Sequence, residues 1–273
     1  MKPHIVALAL VALVAVLAIP VALGTPGPPL SIAALGGAIS ADRESSWATG
    51  TNPAVGSHRL RLEKLAHGIR GARFQRPIRA YTFASSRYRT VADLEAQVRE
   101  AVPRPWRYAT VDLGVGDVCS GVSVGRFRAE LKGALTVLAK PAQFEVDGLD
   151  PPVGREVLVP SIEDLTGHWR AVRADPAASR ALRSHPLDCG LGYRVTPARL
   201  SQIRKRTIAL NDAIARVCFN TGACLYDAGT RFRMPLRGSY FSRSDPRYLS
   251  TEGQRALSTV EWKPALALIA AGG

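Results

Sequence analysis

The feature that most constrains the fold is an alternation of short apolar runs with amphipathic stretches. Five apolar runs have the length of strands and cover residues 31–35, 78–83, 108–113, 157–162 and 224–226. Amphipathic stretches typical of helices cover residues 57–65, 90–102, 127–138, 196–217 and 251–262. Strands that alternate with helices predict an α/β fold: a three-layer αβα sandwich of flavodoxin-like type, with a central parallel sheet of about five strands.

Local signals place two helix starts and one edge of the sheet. Thr90 stands three residues before Asp93, as in a capping box, and Thr196 precedes Pro197, which suits the first turn of a helix. Ligands of such sheets bind beyond the carboxyl ends of the strands. The segments that should meet there are residues 36–40, 84–89, 114–119, 161–168 and 227–248.

Residues 1–24 are typical of an export signal. Lys2 precedes an almost unbroken apolar run from Ile5 to Leu23, and small residues follow it. This run is also long enough to span a bilayer, so an uncleaved N-terminal anchor is the alternative. Pro20 and the Gly/Pro-rich stretch after it favour a signal peptide. We therefore expect a secreted or cell-envelope protein with a single domain over residues 29–270.

The chain has 4 cysteines, and an even number in an exported protein suggests two disulfides. Cys218 and Cys224 are close in sequence, with residues between them that can turn the chain. Their pairing leaves Cys119 to pair with Cys189. A zinc site is the weaker alternative, because the spacing lacks a CxxC motif and a neighbouring histidine pair.

The formal net charge is +14, which in the cytoplasm would suggest a nucleic-acid partner. For an exported protein we expect no nucleic acid. Anionic wall polymers or lipid headgroups are the corresponding partners outside the cell, and a plain basic surface is the alternative. Membrane contact is expected only through the N-terminal segment if it stays uncleaved, and we expect a monomer.

The strand-end segments also carry a pattern of motifs. The motifs lie at residues 35–40, 46–53, 110–119, 161–165 and 240–254. Their order, together with the trailing cysteine Cys119, resembles the SGNH/GDSL hydrolase family of esterases and lipases, and within it an exported actinobacterial branch. In that family a serine attacks an acyl carbon, a histidine takes its proton, and an aspartate three residues earlier orients the histidine.

The resemblance implies that most of the family's catalytic groups are missing. Ala38 stands at the nucleophile position, and Gly37 replaces the aspartate before it. Gly116 replaces an asparagine that stabilises the oxyanion, and Tyr248 replaces the histidine base. Of the triad only Asp245 is retained. Loss of a serine nucleophile or its base costs about 10⁶ in kcat in a well-studied protease.

Other residues could substitute or serve a new purpose. Ser40 is a candidate nucleophile and His168 a candidate base, although a turn serine and a surface histidine are the simpler interpretations. Four arginines in the strand-end segments could hold an anion, namely Arg87, Arg89, Arg243 and Arg247.

We therefore expect an exported SGNH-fold pseudoenzyme whose cleft is kept for ligand binding or a structural role. One alternative is an active esterase with a rearranged site. Another is a basic surface protein that binds anionic wall polymer or membrane. The expected partner is an anionic or acyl-bearing small molecule or a cell-wall polymer, and no cofactor or metal is expected.

Overall fold

The computed structural model describes residues 27–70, 77–87, 90–149 and 152–271, so the predicted signal peptide lies outside the described residues. Its five strands form one all-parallel sheet in the order β2-β1-β3-β4-β5. They are β1 Ser31–Gly36, β2 Arg79–Thr82, β3 Tyr108–Asp112, β4 Glu156–Val159 and β5 Leu225–Tyr226. This confirms the predicted parallel sheet.

Helices connect the strands and follow the last one. They are α1 Ala38–Ala41, α2 His58–Arg70, α3 Leu94–Ala101, α4 Val115–Ser120, α5 Val124–Leu138, α6 Leu165–Ala174, α7 Pro176–Ala181, α8 Pro197–Thr221 and α9 Thr251–Ala271. The sequence pattern did not predict α1, α4, α6 and α7, and it ended α9 nine residues too early, before Pro264. The predicted helix starts were right: Thr90 and Asp93 form a capping box, and the Thr196 hydroxyl accepts from the Arg199 amide.

Alternate residues of the strands face two separate helical layers. Ala33 of β1 packs in a core with side chains of α3, α5 and α8, such as Leu94 and Leu210. Its neighbour Ile32 packs on the opposite face against Leu62 of α2 and against α9. Since both faces are covered, the strands carry continuous apolar runs, and the three layers follow.

Two disulfides join Cys119 to Cys189 and Cys218 to Cys224, which is the pairing expected from the sequence. All four cysteines are therefore used, and none is left to bind zinc. None of the helices in the described ranges is long and apolar enough to cross a membrane.

Candidate functional site

A cleft of about 500 Å³ opens at the carboxyl ends of β1 and β3. It is lined by Gly37, Ala38, Ile39, Ser86, Thr90, Asp112, Leu113, Gly114, Val115, Gly116, Cys119, Ser120, Glu163, Asp188, Cys189, Arg247 and Tyr248. The four positions predicted from the sequence to be degenerate catalytic positions, Gly37, Ala38, Gly116 and Tyr248, are all in this lining. The structure thus brings together residues from Gly37 to Tyr248, which are more than two hundred positions apart in the chain.

Tight backbone packing at the ends of β1 and β3 fixes two of these positions. Gly36 has a φ of +124°, and a Cβ there would come within 2.0 Å of the Asp112 backbone oxygen. The Gly37 amide donates to the same oxygen at 3.0 Å. The end of β1 therefore lies directly against β3, and Ala38 begins α1 at the cleft wall.

Gly114, after the end of β3, fixes the position of Gly116 in a similar way. Its φ is +111°, and a Cβ there would approach the Ile162 side chain to 2.5 Å. The left-handed turn at Gly114 starts α4, which puts Gly116 on the wall. Asp117 follows, and its carboxylate accepts from the Val91 amide at 2.7 Å. Asp117 thus joins α4 to the 3₁₀ turn Val91–Asp93 that leads into α3.

Ser40, the candidate nucleophile, is fully buried and is not part of the cleft lining. Its hydroxyl donates to Asp112 Oδ2 at 3.0 Å and accepts from Trp47 Nε1 at 3.1 Å. A hydroxyl has one proton to donate, and Ser40 donates it to the Asp112 carboxylate. The other oxygen of that carboxylate accepts from the buried Arg231. Ser40 is therefore a structural residue behind the cleft.

His168, the candidate base, is buried and both of its ring nitrogens have partners. Nδ1 lies 3.1 Å from Glu163 Oε1, and Nε2 lies 2.9 Å from the carbonyl oxygen of Pro246. The ring also stacks on Phe241 at 3.7 Å between centroids. Both ring nitrogens of His168 are therefore engaged by oxygen atoms of the protein, and neither faces a nucleophile.

Glu163 connects this histidine with the floor of the cleft. Burial alone would raise the pKa of Glu163, but the charge and hydrogen bond of His168, with Arg231 nearby, lower it below its usual value. Glu163 is therefore an anion at neutral pH, and it lines the cleft.

Arg231 lies in the segment before the last motif and is not among the four arginines predicted to hold an anion. Its side chain is only 2% exposed. Nη1 donates to Asp112 Oδ1 at 2.6 Å, and Nη2 lies 4.0 Å from Glu163 Oε2. Burial by itself lowers the pKa of Arg231, but the two carboxylates outweigh it and raise the pKa. Arg231, Asp112 and Glu163 thus form a buried ion network, and its two carboxylates line the cleft.

Asp245, which the sequence predicts to be the retained triad residue, is held by an arginine. Its carboxylate accepts from Arg247 Nε at 2.9 Å and from Arg247 Nη2 at 2.5 Å. These hydrogen bonds lower the pKa of Asp245 despite its partial burial. Tyr248 donates only its backbone amide to the Asp245 carbonyl, at 3.1 Å. Arg247 therefore occupies both oxygens of the Asp245 carboxylate.

The predicted group of anion-binding arginines does not converge among the described residues. Arg247 lines the cleft but pairs with Asp245, and Arg89 lies outside the described residues. Arg87 is exposed, and Arg243 interacts electrostatically with Asp175. Neither of them is in the cleft lining. The lining instead includes three carboxylates, those of Asp112, Glu163 and Asp188. A cationic cleft is therefore not supported.

Comparisons with known proteins give the fold. No protein-family model and no curated protein matches the sequence. Among solved structures, LAE5, an alpha/beta hydrolase enzyme from the metagenome of Lake Arreo, Spain, has a TM-score of 0.52 at 16% identity, over 87% of this chain and 95% of its own.

A second solved structure, Axe2, an acetylxylan esterase from Geobacillus stearothermophilus, has a TM-score of 0.51 at 13% identity. The similarity covers 87% of this chain and 94% of Axe2. At these identities the similarity shows the fold alone, which is the SGNH-type αβα fold predicted from the sequence. The actinobacterial branch stays a prediction.

Proposed function

We propose that this chain is an exported SGNH-fold protein that does not hydrolyse esters by the family's mechanism and that binds a ligand in the retained cleft. The observation that carries the proposal is the pair of residues at the catalytic positions. Ala38 and Tyr248 line the cleft where a nucleophile and a base are needed. The two candidate substitutes, Ser40 and His168, have their polar atoms bound to other groups.

The lining supports an acyl-bearing small molecule as the ligand. The volume of the cleft, about 500 Å³, is within the range of small-molecule sites. Apolar side chains of Ile39, Leu113 and Val115 offer contacts to an acyl chain. An anionic ligand is less well supported, because Arg247 already pairs with Asp245.

Export is part of the same proposal. The apolar run of residues 5–23 supports it, and the two disulfides are consistent with an oxidising compartment. Fusion of residues 1–30 to a reporter enzyme that is active only outside the cytoplasm tests it. N-terminal sequencing of the exported protein then distinguishes a cleaved signal from an anchor, and an inactive fusion would contradict export.

Hydrolysis of p-nitrophenyl acetate tests the loss of catalysis. We expect the wild-type protein to match the buffer rate. A revertant with Gly37→Asp, Ala38→Ser, Gly116→Asn and Tyr248→His restores the family's groups. Wild-type turnover that is lost in Ser40→Ala or His168→Gln would overturn the proposal.

The structure adds a fifth substitution, Arg247→Ala, which frees Asp245 to orient the new histidine. The triad aspartate is worth about 10⁴ in kcat in serine proteases. The revertant with five substitutions should therefore hydrolyse the ester faster than the revertant with four. Equal rates in the two revertants would show that Arg247 does not withhold Asp245.

Ligand retention is tested by calorimetric titration with ethyl butyrate as a neutral acyl probe. Ala38→Phe places a ring in the cleft and should abolish the binding signal, whereas Val124→Phe, at an exposed position of α5, should leave it unchanged. Absence of binding in the wild type, or equal binding in Ala38→Phe, would contradict an acyl ligand in this cleft.

A further inference from the structure

A stack of two arginines and two aromatic rings lies on the surface formed by α6, the end of α7 and the following loop. The Arg173 guanidinium carbon lies 3.9 Å from the centre of the Tyr193 ring, and that of Arg183 lies 4.8 Å from the same centre. Arg173 also lies 5.7 Å from the Trp169 ring. We call Arg173, Arg183 and Tyr193 the Arg-Tyr-Arg cluster.

The cluster is held in place by its surroundings. Trp169 and Arg173 are four residues apart on α6 and therefore share one face of the helix. Trp169 Nε1 donates to the Gly192 carbonyl at 2.9 Å, which fixes the loop residue before Tyr193. Tyr193 is still 38% exposed, and Arg183 is exposed. The cluster is thus a fixed group of side chains that solvent can reach.

The two positive charges of the cluster face an aromatic ring. The salt bridges among the described residues pair other arginines with carboxylates, as Arg247 with Asp245 and Arg231 with Asp112, but do not include Arg173 or Arg183. Two guanidinium groups instead share one phenol. They lower the pKa of Tyr193, because both are close enough to stabilise its phenolate.

We propose that the Arg-Tyr-Arg cluster is a binding site for a phosphate-type oxyanion. The two guanidinium carbons cannot be further apart than the sum of their distances from the Tyr193 ring centre. An oxyanion that accepts a hydrogen bond of about 2.8 Å from each guanidinium can bridge two groups within that limit. In the proposed site the Tyr193 hydroxyl donates a third hydrogen bond.

This site is separate from the cleft. None of its three residues lines the cleft, and a phosphate here needs no catalytic group. The source of the oxyanion is either a soluble phosphate or a lipid headgroup, and both present the same chemistry to the cluster. The test therefore has one arm for each source.

The first arm uses tyrosinate absorbance of the full chain during a pH titration with and without inorganic phosphate, at constant ionic strength. The difference between wild type and Tyr193→Phe isolates Tyr193. We expect phosphate to shift its titration saturably to higher pH, because the anion neutralises the arginines and repels a phenolate. A stack that only supports the fold would not respond to phosphate.

Arg183→Gln is the main variant, since the exposed Arg183 can be removed without disturbing the core. We expect phosphate affinity to fall about tenfold or more, the equivalent of one charge-assisted hydrogen bond. Arg237→Gln is the matched control, because Arg237 is exposed and lies over the single ring of Tyr240 at 6.0 Å. Equal affinity in wild type and Arg183→Gln, or an equal loss in Arg237→Gln, overturns the site.

The second arm measures sedimentation with phosphatidylglycerol vesicles. If inorganic phosphate acts on Tyr193, the source is soluble phosphate. If only vesicles bind, and Arg183→Gln weakens that binding more than Arg237→Gln does, the source is a lipid headgroup. If neither probe distinguishes the two variants, the proposal is wrong.

Discussion

Asp117 offers a quantitative test of how the start of α4 is held against the loop before α3. Burial raises its pKa from the ordinary value of 3.8 to about 6; the hydrogen bond from the Val91 amide opposes the shift, and the nearby charges of Glu130 and Asp93 add to it. The folded state therefore binds this proton more tightly than the unfolded state does. Asp117 contributes most stability below pH 3.8, and the contribution is lost as the pH rises to about 6.

The magnitude follows from the shift of about two pKa units. At 1.36 kcal/mol per unit, ionisation of Asp117 lowers the free energy of unfolding by about 3 kcal/mol between pH 3.8 and pH 6, as an upper value. Asp117→Asn does not titrate, and its amide oxygen still accepts from Val91. The variant should therefore lack this part of the pH dependence.

The assay is urea unfolding of the wild type and Asp117→Asn at several pH values between about 4 and 7. The difference between the two proteins should change by up to about 3 kcal/mol across this range in favour of the variant at the higher pH. Asp212→Asn, at an exposed position of α8, is the control and should show no such change. A pH-independent difference for Asp117→Asn would refute the reasoning.

Three further predictions concern buried charges and disulfides. Burial and the neighbouring Asp227 raise the pKa of Glu261. Because the ionised form is destabilising, Glu261→Gln should raise the melting temperature at pH 8 and not at pH 4. Equal effects at the two pH values would contradict this. Arg231→Met leaves two buried carboxylates without their cation and should cost about 3–5 kcal/mol in urea unfolding; a cost below 1 kcal/mol would exclude the ion network as a stabilising unit. Removal of the Cys119–Cys189 disulfide, which closes 70 residues, should destabilise by about 4 kcal/mol, against about 2 kcal/mol for Cys218–Cys224, which closes 6; the reverse order in denaturant unfolding would refute it.

The sheet could be predicted because each buried strand leaves a signal in its own short stretch of sequence. A strand that is buried on both faces needs a continuous apolar run, and Ser31–Gly36 is one. The short helix α4 could not be predicted in the same way. It contains Gly116 and follows a left-handed turn at Gly114, so packing of the chain against Ile162 starts it rather than helix propensity. The helix α6 did carry a signal, since Leu165, His168 and Val172 recur on one buried face.

Some features of the candidate site could likewise be predicted from the sequence, and others could not. The cleft positions were predictable, because the carboxyl ends of parallel strands meet at one edge of the sheet. The burial of Arg231 was not, since an arginine is ordinarily exposed and its partner Asp112 is 119 residues away. The sequence likewise placed His168 on the surface, and only the structure shows that Pro246 and Glu163 enclose its ring nitrogens.

The Cys119–Cys189 bond has a consequence for when the cleft comes into being. Both cysteines form part of the cleft wall, and they join α4 to a turn 70 residues further along the chain. The bond therefore ties two parts of the cleft wall to each other, whatever the occupant of the cleft. For the proposed ligand, we expect binding to be weaker under reducing conditions than under oxidising ones, because reduction removes this tie.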